Sequence, residues 1–60
     1  MFTVNQVIRV DGDARLIEAS CMDADSKPTT GLINGSLCIE MDTGKIYAFN
    51  EAASSWVELQ

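Results

Sequence analysis

The sequence predicts a small all-β domain, mainly antiparallel, of four to five short strands ending in a β-meander. Three observations predict it. "FTVNQVIRV" alternates apolar and polar residues, the period-two pattern of a half-buried strand. Turn-forming residues punctuate the chain at Asp11-Gly12-Asp13 and again through residues 23–36. "SLCIEMDTGKIYAFN" reads as two strands joined by a tight turn.

In the first strand, Phe2, Val4, Ile8 and Val10 share one parity with only Gln6 interrupting, so they form its predicted apolar face. "ARLIEASCM" follows. Leu16 and Ile17 are adjacent there, which leaves the parity undefined, and both a strand and a short helix fit. "DADSKPTTGLINGS" collects Pro28, Gly31 and Gly35 among hydroxyl and amide residues and reads as a long connection, with Leu32 and Ile33 tucked against the core. The chain therefore divides into N-terminal strands (1–22), a connecting loop (23–35) and a three-stranded meander (36–59) within one domain. A loop this long in so short a chain is either functional or held by a neighbouring subunit.

For the hairpin, Asp42, Thr43 and Gly44 predict a three-residue turn. Gly44 takes the left-handed conformation, and Asp42 accepts hydrogen bonds from backbone N–H groups two residues on. Met41 then faces Lys45, Ile39 faces Tyr47 and Leu37 faces Phe49. Leu37, Ile39, Met41, Tyr47 and Phe49 form the predicted core face; Ser36, Cys38, Glu40, Ile46, Ala48 and Asn50 form the other. Residues 50–55 lead into "WVEL", the last strand. There Trp56 either caps the hairpin core or anchors a partner.

Composition narrows the function classes. A chain of 60 residues has a marginal core and needs a disulfide, a metal or association with other chains. Cys21 and Cys38 are the only cysteines, and their expected state is reduced and buried. Histidine is absent, and neither cysteine lies in a C-x-x-C spacing, so zinc is not expected. No cofactor is expected either. Association is left as the support. Nine acids against four bases give a net charge of −5, which argues against a nucleic-acid partner. No apolar run approaches the roughly 20 residues that span a bilayer, and no membrane partner is expected.

Catalytic sets are also missing from the pattern. Without histidine no serine or cysteine triad can be assembled, and Lys27 and Lys45 have no evident nucleophile to activate. The Asp-Thr-Gly triplet carries the catalytic aspartate of aspartic proteases, but Lys45 stands where that loop needs a small residue, and the flanking strands already account for a turn. Asp11-Gly12-Asp13 and Asp23-Ala24-Asp25 have the alternate spacing of calcium loops without the downstream bidentate glutamate. The expectation is a protein that is not an enzyme.

Residues 28–59 carry a recurring pattern: Gly35-Ser36 before a strand, the Asp42-Thr43-Gly44 turn, Tyr47 and Phe49 in the next strand, Asn50-Glu51 and then Trp56. This segment resembles small bacteriophage-encoded, virion-associated proteins of the head-fibre and capsid-decoration type. The resemblance implies a structural protein made in the host bacterial cytoplasm and carried on the virion, which binds itself and the capsid. Phe2, Val4, Ile8 and Val10 would join the meander in burying against neighbouring copies, with a trimer or another closed ring favoured. The competing reading is a small acidic regulatory or inhibitory protein that occupies a basic site on a host protein.

Overall fold

A computed structural model describes residues 1–60. Its five strands are β1 (Thr3–Asp11), β2 (Ala14–Cys21), β3 (Leu37–Glu40), β4 (Ile46–Asn50) and β5 (Ser55–Glu58). They form one sheet in sequence order. The segment that could have been helix is strand β2. All neighbours pair antiparallel except β2 and β3, which run parallel. Parallel neighbours need a crossover of a dozen or more residues, and residues 22–36 supply it. The long connection is thus a geometric requirement of this topology.

β1 departs from simple alternation. Its ladder with β2 shifts register between Val4 and Gln6 and again between Val7 and Arg9. Each bulge inserts an extra residue, so Val4, Val7 and Val10 stand opposite Ala19, Ile17 and Arg15. The expected face of Val4, Ile8 and Val10 is therefore corrected. Two bulges align valines spaced three apart, and Ile8 falls at the second bulge. Phe2 does reach the core, packing beside Trp56.

The hairpin register is corrected by one residue. Leu37 pairs with Ala48, Cys38 with Tyr47 and Ile39 with Ile46. The turn spans Met41–Gly44, closed by Gly44 N–H donating to Glu40 O at 2.9 Å and Glu40 N–H to Lys45 O at 2.9 Å. Gly44 has φ 76°, the left-handed conformation expected of it. Lengthening the loop by one residue reverses the faces of β3 relative to β4. Cys38, Glu40, Tyr47 and Phe49 face inward, while Leu37 and Ile39 lie on the opposite side with Ile46 and Ala48.

The inward face carries the core: Ile17, Ala19 and Cys21 of β2, Cys38 of β3 and Phe49 of β4, with Leu32 laid over them from the connection. Leu32 and Ile33 are both buried, as expected. They run alongside β2, where Arg15 N–H donates to Gly31 O and Ile33 N–H to Arg15 O. Between this short bridge and the β2–β3 ladder lies a gap, which Ser36 fills. Its fully buried hydroxyl accepts from Ile17 N–H at 3.2 Å and donates to Ile33 O at 2.9 Å.

Candidate interaction surfaces

A polar cluster lies beneath the connection. Glu40 is 1% exposed, yet both carboxylate oxygens are satisfied. Lys27 Nζ lies 2.6 Å from one, and Thr43 Oγ1 donates to the other at 2.7 Å. Lys27 Nζ also sits 4.5 Å above the Tyr47 ring, a cation–π contact. The Lys27 and Thr43 hydrogen bonds hold the Glu40 carboxyl below its usual range against the opposing effect of burial. Glu40 in turn holds Lys27 above its ordinary value. Each charge is committed to the other, so the geometry is that of a buried clasp between β3 and the connection.

Beside it, the sulfur atoms of Cys21 and Cys38 approach to 3.2 Å. Both thiols are free and buried. Burial, then the neighbouring Cys21, pushes the Cys38 thiol up to about 12.

The turn residues act at longer range than expected. Asp42 accepts from the backbone N–H of Asp23 at 3.0 and 3.2 Å, not from its own turn, and so pins the hairpin tip to the start of the connection. Thr43 Oγ1 accepts locally, from Lys45 N–H. Asn34 and Glu51 exchange side-chain bonds with each other's backbone N–H groups. Trp56 Nε1 donates to Pro28 O at 2.9 Å while its ring meets Phe49 edge-on at 5.2 Å. Ser36, Asp42, Phe49, Glu51 and Trp56 of the 28–59 pattern are therefore tied to the connection or to the core.

The sheet's other side has no such cover. Residues opposite one another in the ladder share a face, which places Leu37, Ala48 and Val57 in one row and Ile39 and Ile46 in the next. Ile39 and Val57 are each 44% exposed. Toward β2 and β1 the same face turns polar, with Glu18 beside Leu37 and Gln6 beside Glu18. β1 itself is exposed along all nine residues, including Val7, Ile8 and Val10. Ile46, Ala48 and Val57 were not among the expected interface residues; the one-residue register shift brings Leu37 and Ile39 onto their face and makes it apolar.

An open cleft of about 400 Å³ lies at the other end of the connection, bordered by Asp11, Asp13, Thr29, Thr30 and Glu51. No cationic side chain lines it. No three histidine, cysteine, aspartate or glutamate side chains come close enough together to hold a metal ion. Comparison with family models, with curated proteins and with solved structures finds no match to this chain.

Proposed function

We propose that this chain is a non-enzymatic structural protein that acts by self-association and by docking on a larger assembly, the virion to which the resemblance of residues 28–59 points. The single observation that carries the reading is a sheet with one side covered and the other open, with an apolar patch across β3, β4 and β5. That patch, Leu37, Ile39, Ile46, Ala48 and Val57, holds no charge, and interface cores are depleted in charge. A standard interface takes about 800 Å² from each partner, roughly a fifth of this chain's 3820 Å². A trimer or other closed ring would also cover the free edges at β1 and β5. The capsid surface is the further partner in this reading.

Molar mass by light scattering after size exclusion, at low and high salt, tests it. The expected result is a salt-insensitive oligomer that Ile39→Lys converts to a folded monomer. A wild-type monomer at every micromolar concentration would overturn the reading. The acid-rimmed cleft favours a second reading, in which Asp11, Asp13 and Glu51 engage a basic site on a host protein. A complex of that kind weakens steeply with salt.

A further inference from the structure

The mechanism of assembly makes no use of the two cysteines, and their placement is specific. Cys21 ends β2 and Cys38 lies within β3. They are diagonal in the parallel ladder, with Cys21 opposite Glu40 and Cys38 opposite Ala19. Their sulfurs stand 3.2 Å apart, about 1 Å beyond bonding distance. The chain between them is the whole 22–36 connection, the longest stretch of the molecule outside the five strands. With only two cysteines present, a single intrachain product is possible.

We propose that Cys21 and Cys38 are a redox-modification site, a dithiol that oxidises to an intrachain disulfide and clasps both ends of the connection. With hydrogen peroxide as oxidant, one thiolate attacks an O–O oxygen to give a sulfenic acid and hydroxide, which takes up the proton the thiol released. The second thiol displaces water from that sulfenic sulfur. The sum is two thiols and one peroxide giving one disulfide and two waters. Both sulfurs are buried, so the reaction is slow and follows transient lifting of the connection.

The test treats the full chain with hydrogen peroxide, traps remaining thiols with an alkylating agent, and reads intact mass and thermal unfolding. The expected product is monomeric, has lost two hydrogens, reverts with dithiothreitol, and melts several degrees higher because the closed loop restricts the unfolded chain. Cys38→Ala and Cys21→Ala, tested separately because either variant could fail to fold, are expected to show no such shift in melting. Full alkylation of both thiols after treatment, accumulation of sulfinic acid, interchain dimers as the sole disulfide, or an intrachain bond that lowers the melting temperature would each overturn the proposal.

Discussion

Ser36 shows how much can hang on one oxygen. Its hydroxyl accepts the buried Ile17 N–H, the part a backbone carbonyl would play if the β2–β3 ladder ran unbroken from Arg15 to Cys21. Ser36→Ala leaves that buried donor unpaired and is expected to cost about 1–3 kcal/mol, measured by urea unfolding. Trp56→Ala, which removes the ring that bridges Phe2 and Phe49, is expected to cost roughly 2–4 kcal/mol. In the proposed oligomer, association per folded molecule should be nearly unchanged, and a fully stable variant that no longer assembles would assign Trp56 to the interface. The sequence located these residues correctly as conspicuous. It did not reveal that Ser36 completes a parallel ladder, because that role depends on a strand nineteen positions earlier.

At the level of elements, strand positions and the inward face of β4 were legible, and the facing of β1 and β3 was not. A left-handed Gly44 suits a three-residue turn and the longer Met41–Gly44 turn equally, so local chemistry leaves the register open. What separates the two is Glu40. Its inward placement places a carboxylate in the core, which is tolerable only because Lys27 reaches it from the connection. No pattern within the hairpin announces that partner. β1 was misread for a similar reason: its bulges exist only relative to β2, whose adjacent Leu16 and Ile17 point to opposite sides. Deleting Met41 restores the shorter turn and exchanges the faces, and it is expected to abolish the cooperative urea transition. Gly44→Ala meets no atom within 4 Å and is expected to lose only about 1 kcal/mol, from the backbone.

Over the whole molecule, the buried cluster sets the response to pH. Glu40 has a folded-state pKa below its ordinary 4.5, so its contribution is present above that value and is lost as pH falls through the lower one. Lys27 is raised above 10.5; its contribution is complete below 10.5 and disappears as pH climbs through the higher value. Cys38 is raised from 9.0 to about 12, which favours the neutral thiol and withdraws stability across that interval. The melting temperature is therefore expected to be flat between about pH 5 and pH 9 and to fall on both sides. Lys27→Met, which leaves a buried carboxylate unpaired, should flatten the acid limb in the same scan. The parallel pairing of β2 with β3 reaches further, into the order of events along the folding path. The β1–β2 ribbon and the β3–β5 meander each close through neighbours in sequence, but residues 18–21 meet 37–40 only across the intervening chain. Contacts of such separation are the slow ones to form. The strip joining β2 to β3 is therefore expected to be the last part of the sheet to become protected from solvent exchange during refolding.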